Sequence, residues 1–283
     1  MKSTRPVVAG IFQARLGSSR LPGKVLMDIC GKPLLWHVIQ RVRAAKTIDK
    51  LIVATTESPT DEPLRDFLAQ EGVTTVLGSE NDVLDRFYQA ARAHDVDVFV
   101  RITPDDPFKD PEVIDHAVNL LATASPSVDY VANCSYDGSI PSTYPEGLDI
   151  EVMTMDCLAR LWQGATRPSE REHVSPYLFA HPEKFKVLGF QCPENLAHLR
   201  WTIDYDQDMQ FAREVYARLY ERKPLFLMRD ILELLQAEPE LTAINTGITR
   251  YEGYKRSVQV ERLRMQARQG AAVKKERPEG VGE

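Results

Sequence analysis

Three cations, Arg15, Arg20 and Lys24, stand close together in GIFQARLGSSRLPGKVL (10–26), interleaved with Gly17, Ser18 and Ser19. Small residues let backbone N–H groups approach an anion, and cations offset the charge of a polyphosphate. The stretch directly follows an apolar run at 7–12, the position of phosphate-binding loops that leave buried strands. A solvated surface loop with ordinary charges is the alternative on residue type alone. Two familiar phosphate loops are excluded. A Walker A loop reads G-x-x-x-x-G-K-[ST], whereas five residues separate Gly17 from Gly23 here and Val25 follows the lysine. The dinucleotide pattern G-x-G-x-x-G is absent as well.

The elements around this loop follow a regular order. VVAGIF (7–12), LIVATT (51–56), TTVLG (74–78) and DVFVRIT (97–103) read as strands. PLLWHVIQRVRAAK (33–46) reads as a helix with Pro33 in its first turn and a stripe at Leu34, Leu35, Val38 and Val42. DEPLRDFLAQEG, closed by Gly72, NDVLDRFYQAARAH (81–94), with Asn81 as N-cap, and PEVIDHAVNLLA (111–122) read as three more. Four strand–helix units in series predict a doubly wound α/β fold with a mainly parallel sheet. Ligands bind such sheets beyond the carboxyl ends of the strands. The cationic loop and TPDDPFKDP (103–111) both fall there.

The second half is less regular. VDYVANCS (128–135), GLDIEVMT (147–154), FKVLGFQ and LRWTID (199–204) read as strands. SEREHVSPYLFAH (169–181) reads as a helix broken near Pro176, and QDMQFAREVYARLYER (207–222) as a helix. The tail from 266 to 283 is poor in apolar residues and is expected to be unstructured.

A net charge of -6 argues against the chain-wide basic surface of non-specific nucleic-acid binders. No apolar run approaches membrane-spanning length, and MKSTRP lacks the apolar core of a secretion signal. Cys30, Cys134, Cys157 and Cys192 are scattered without a CxxC pair, so neither a zinc site nor a disulfide framework is expected. These features predict a cytoplasmic protein with no nucleic-acid or membrane partner.

QARLGSSRLPGKVL resembles the opening signature of the cytidylyltransferases that activate acidic sugars, the CMP-Kdo and CMP-sialic acid synthetases. Within that superfamily the likeness is greatest to the spore-coat polysaccharide group. GSENDVLDRFY (78–88), VRITPDDPFKDPEVID (100–115), YPEGLDIEV (144–152), EREHVSPYLF (170–179), LRWTIDYDQD (199–208) and NTGITRYEGYKRS (245–257) follow in the group's order. The resemblance thus covers most of residues 5–257. It implies an α/β, Rossmann-like nucleotide-diphospho-sugar transferase fold, with a mainly parallel mixed sheet and helices on both faces. It further implies one domain over 1–265, with an acceptor and dimerisation subregion near 128–190, and a homodimer. The implied reaction is magnesium-dependent transfer of CMP from CTP to a small polar or anionic acceptor with release of pyrophosphate.

By motif match, Arg15 and Lys24 are the implied catalytic cations, Lys24 neutralising charge as pyrophosphate departs. Gln13, Ala14, Arg15, Gly17, Ser18, Ser19, Arg20, Lys24, Arg86 and Asp105 are implied at the nucleotide. Asp105 and Asp204 are the implied magnesium ligands, since carboxylate oxygens suit a hard cation. Asp106 and Asp206 read equally as turn or cap residues. Asp149, Glu151, Arg171 and His173 are implied on the acceptor side. By type alone Arg86 is a surface charge, Arg101 a buttress and His173 a structural histidine. Pro104 departs from the family, which has a small residue before the aspartate. It removes an N–H donor and leaves selectivity for cytosine open. The acceptor is also open: a sugar acid, a sugar or polyol phosphate, or a phosphonate. A glycosyltransferase of the same fold and a catalytically silent nucleotide binder are the competing classes.

Overall fold

A computed structural model describes residues 5–18 and 20–275. The chain opens with β1 (Val8–Gln13), a small hairpin β2 (Asp28–Ile29) and β3 (Lys32–Pro33), and α1 (Leu34–Arg43). It continues through β4 (Lys50–Thr56), α2 (Glu62–Gln70), β5 (Thr74–Gly78), α3 (Val83–Ala93), β6 (Val98–Ile102) and α4 (Pro111–Thr123). The second half holds β7 (Tyr130–Ala132), β8 (Glu151–Thr154), α5 (Met155–Gly164), α6 (Pro168–His173), α7 (Pro176–Ala180) and β9 (Val187–Gly189). Three helices close the chain: α8 (Asp206–Leu219), α9 (Met228–Ala237) and α10 (Glu252–Lys275).

One seven-stranded sheet runs in the order β5-β4-β1-β6-β8-β7-β9. The pairs β5–β4, β4–β1 and β1–β6 are parallel, whereas β8 runs antiparallel to both β6 and β7. Alternation along β1 explains why helices cover both faces. Val8 and Phe12 join a core with Leu34, Leu35, Val38 and Val42 of α1, while Ala9 and Ile11 join another with Leu84 and Phe87 of α3. The four α1 side chains have no exposed area, and each fully buried aliphatic side chain contributes roughly 1.5–3 kcal/mol. The parallel alternating half therefore forms as its periodicity predicts.

Four expectations need correction. The 199–204 stretch is not a strand: it makes a single isolated bridge, Glu146 to Arg200. Its backbone is used instead to tie distant loops together, with Trp201 N donating to Glu146 O at 2.7 Å and Ile203 N to Asp105 O at 2.9 Å. Gly147 permits this approach, because it has φ +105° and a Cβ there would lie 2.7 Å from the Trp201 carbonyl carbon. The cap of α3 is Asp82, not Asn81, its carboxylate accepting from Asp85 N at 2.9 Å. Asp110 caps α4, so Asp106 is free for another use. Finally, helix extends past 265 to Lys275, where alanines and charged residues favour helix without needing an apolar face; residues 276–283 lie outside the described residues.

Candidate active site

The strand order reverses its direction of growth between β1 and β6, so the loops leaving both strands open into one crevice. Buried Asp61 shapes the first loop by accepting from Leu16 N at 2.7 Å. Gly23, at φ +71°, turns the chain back so that its N–H meets Leu16 O at 3.0 Å. That turn sends Lys24 inward, where the residue is only 7% exposed.

Lys24 uses all three of its donors. Its Nζ lies 2.7 Å from Asp105 Oδ2, 3.0 Å from Asp204 Oδ1 and 2.6 Å from Ile203 O. Asp105 leaves the end of β6, while Asp204 is delivered by the extended 199–204 link. Asp204 also accepts from Arg20 and from Arg200 Nη2, the latter at 3.0 Å. Burial pushes the Asp204 carboxyl up, but Lys24, Arg20 and Arg200 outweigh it and bring the pKa down to about 2. Asp105 goes the other way: burial, Asp106 and Asp204 raise it against the single ammonium of Lys24.

Among the described residues no group of three or more His, Cys, Asp or Glu could hold a metal ion. The site is smaller. Two carboxylates converge on one cationic centre, the Lys24 ammonium, and the hard oxygens of such a pair would suit a divalent cation such as magnesium.

These residues stand at the floor of a cleft of about 680 Å³. Gln13, Ala14, Arg15, Gly17, Ser18, Arg20, Lys24, Arg86, Asp105 and Asp204 all line it, as do Thr103 and Pro104. Ser19 lies outside the described residues. Arg15 rests 3.6 Å from exposed Glu80, an ion pair weak enough to exchange for a phosphate. Arg86 is 3% exposed and donates to Ser79 O and, at 3.1 Å, to Glu80 O, so it braces the cleft wall instead of standing in solvent. Asp106 is no cap: it pairs with Lys109 at 2.9 Å and accepts from Thr103 Oγ1. Nor does Asp206 cap α8, whose first turn is closed by Asp208 accepting from Asp204 N and Tyr205 N.

A smaller pocket of about 90 Å³ adjoins the cleft, Thr103 and Asp105 lining both. Asp149 and Glu151 reach it from the same side of the chain, as their spacing predicts. Glu151 is bound by Arg101 and by Tyr130 Oη, at 2.5 Å for the latter, and Asp149 by Arg250. Arg101 is thus the expected buttress. Its pKa rises further because Glu151 outweighs burial, and the same pairing lowers Glu151 against burial. No unpaired cation among the described residues lines this pocket.

The sequence-predicted acceptor role of Arg171 is not supported by its placement. Its guanidinium forks onto Asp82, with Nη2 to Oδ2 at 2.7 Å, and Nη1 reaches Trp162 O at 2.7 Å. It locks α6 to the start of α3 and the end of α5, and among the described residues lines neither cavity. His173 does line the cleft. It is turned there by a strained γ-turn at Val174 (φ +71°, ψ −65°), in which Ser175 N donates to His173 O at 2.9 Å. Burial lowers the His173 pKa to about 4, so the imidazole is neutral at pH 7.

Two contributors escaped sequence reasoning. Buried Arg200 binds Glu146, Asp204 and Asp208 together, and so sets the position of Asp204. The arginine inside LRWTID was the available signal. The second is α10, whose Gly253, Arg256, Ser257, Val260, Glu261 and Arg264 follow helical spacing along one face and form a wall of the cleft. Tyr251 N to Glu146 Oε1 at 3.2 Å and Tyr205 Oη to Glu252 Oε2 at 2.6 Å anchor its start.

Comparison with known proteins gives a consistent result. A family model described as cytidylyltransferase matches residues 9–232. An uncharacterized protein of Methanocaldococcus jannaschii is 35% identical over 245 residues, covering 85% of this chain and 95% of the relative. The spore coat polysaccharide biosynthesis protein SpsF of Bacillus subtilis is 32% identical over 237 residues, covering 81% and 94%. A cytidylyltransferase structure from Leptospira borgpetersenii is similar with a TM-score of 0.80 at 28% identity, covering 87% of this chain and all of that one. None of the described helices is long and apolar enough to cross a membrane.

Proposed function

This chain belongs to the cytidylyltransferase family, and from that premise we propose that it transfers CMP from CTP to a hydroxyl of a sugar acid or a related polar or anionic acceptor. The acceptor oxygen bonds to the α-phosphorus, the bond to the bridging oxygen breaks, and pyrophosphate leaves. The product would feed cell-surface polysaccharide or glycoconjugate synthesis. The observation that carries this reading is the convergence of Asp105 and Asp204 on Lys24 at the floor of a cation-walled cleft.

Transfer of this kind depends on positioning and on charge stabilisation at phosphate oxygens. Arg15 and Arg20 stand where the triphosphate would enter, and Lys24 lies beside both carboxylates, close to where charge develops on pyrophosphate. Asp105 and Asp204 would hold magnesium, which when bound supplies positive charge to the phosphate oxygens. The inner pocket supports a hydroxyl-bearing acceptor. Its carboxylates accept hydrogen bonds from hydroxyls, and its guanidinium is already paired, so a carboxylate entering there would lose water without gaining a cation.

The test is pyrophosphate release with each of the four nucleoside triphosphates against sugar acids, sugar phosphates and phosphonates, with and without magnesium. Release is expected with CTP, a hydroxyl acceptor and magnesium together. Asp105→Asn and Lys24→Ala should each lower it about 100-fold or more, in the range of lost transition-state electrostatics. Unchanged release in both variants would remove the site from the reaction.

A further inference from the structure

The geometry points to Ser257 of α10 as a positioning residue that fixes His173 in its Nε2–H tautomer, leaving Nδ1 to accept a hydrogen bond from the acceptor's hydroxyl. The inference rests on the proposed reaction for the identity of that hydroxyl, but the tautomer itself does not depend on it.

Glu172, Ser257 and His173 form a chain of three groups that all line the cleft. Ser257 Oγ donates to Glu172 Oε2 at 3.0 Å. An ionised carboxylate can only accept, and a serine hydroxyl has one proton, so that proton is spent on Glu172. His173 Nε2 lies 3.1 Å from the same Ser257 Oγ. With its proton committed, Oγ offers only lone pairs to the imidazole, and Nε2 must be the nitrogen that carries hydrogen. The second carboxylate contact agrees with this assignment: Glu172 Oε2 is 3.8 Å from Nε2, so its negative charge faces the N–H end of the ring.

The ring cannot turn over freely to escape this choice. Tyr136 and Tyr254 pack edge-on against it with centroids 5.7 and 5.2 Å away, and Val174 holds its backbone. Burial keeps the imidazole neutral, so it has a definite tautomer at working pH. For a neutral imidazole with Nε2–H, Nδ1 is the only acceptor. A hydroxyl is the complementary ligand, because it donates one hydrogen while its oxygen stays available for attack. Ser257 lies on α10, outside the residues matched by the family model.

Nitrogen-15 NMR of the full-length, uniformly labelled protein reads the tautomer directly, with His173 assigned by difference from His173→Gln. The wild type should show protonated Nε2 and bare Nδ1. Ser257→Ala should give a mixture or a switch, and Ser257→Thr, which keeps the hydroxyl, should restore the wild-type pattern. A wild-type Nδ1–H tautomer, or a spectrum that Ser257→Ala leaves unmoved, overturns the inference. Pyrophosphate release with CTP and 3-deoxy-manno-octulosonate as probe adds the functional arm. Ser257→Ala should raise the KM for the acceptor about tenfold, the upper range for one neutral hydrogen bond, with the KM for CTP unchanged and rescue by threonine. A rise confined to CTP would overturn the acceptor assignment. Failure of the probe to react at all counts against the proposed reaction, and the NMR arm still decides the tautomer.

Discussion

Asp204 shows how much of this site is electrostatic before any substrate arrives. One carboxylate is met by Lys24, Arg20 and Arg200, and the three overcome the cost of its burial to hold the pKa down to about 2. An aspartate in an unfolded chain titrates at about 3.9. The folded value is the lower one, so the pairing stabilises the fold above the unfolded pKa and is lost as pH falls from about 4 through about 2. The difference corresponds to about 2–3 kcal/mol. Urea denaturation across that window should show the wild type losing stability on acidification more steeply than Asp204→Asn. At pH 7 the variant should be the less stable protein, because a neutral amide at this position leaves three cations without their common partner. Parallel pH dependences for the two would mean that the cluster does not hold in solution.

Among the elements, legibility followed periodicity. The first four strands of the parallel half and their helices were readable because each buries a face with a simple repeat, as α1 does through Leu34, Leu35, Val38 and Val42. The same rule misread 199–204: Leu199, Trp201 and Ile203 alternate as in a strand, but their neighbours are loops, and the segment forms only one bridge. It could not show α10 as a wall, because that helix meets the cleft through Gly253, Arg256 and Ser257 instead of an apolar stripe. Its Arg256 and Arg264 are exposed, line the cleft and form no ion pair among the described residues. An anionic substrate bound below them would meet two available charges. Arg256→Ala with Arg264→Ala should raise the KM for CTP or an anionic acceptor about tenfold or more, the range for hydrogen bonds to charged groups. The effect should shrink with added salt, and the melting temperature should not move. A KM unaffected at low ionic strength would detach α10 from anion binding.

At the scale of the molecule, the parallel half of the sheet and its mixed half are joined where β6 runs antiparallel to β8. The cationic loop was legible because its residues are contiguous in sequence, whereas Arg86, Asp105 and Asp204 join it only through the fold. Arg171 and Glu151 were both expected on the acceptor side, and only packing sends the first to Asp82 and the second to Arg101. The Arg101–Glu151 pair lies across the junction itself, with both residues less than a tenth exposed. A buried pair broken on one side costs about 3–5 kcal/mol, whereas replacing both partners by apolar residues can be nearly neutral. Glu151→Gln should therefore lower the melting temperature by roughly 10 °C in a chain of this size. Arg101→Met with Glu151→Leu should recover most of that loss. Recovery of stability separates two roles. If the pair serves only the junction, the double variant regains pyrophosphate release along with its melting temperature. If the carboxylate also receives the acceptor's hydroxyls, the double variant melts like the wild type, binds CTP as well, and still requires far more acceptor to reach half-maximal rate.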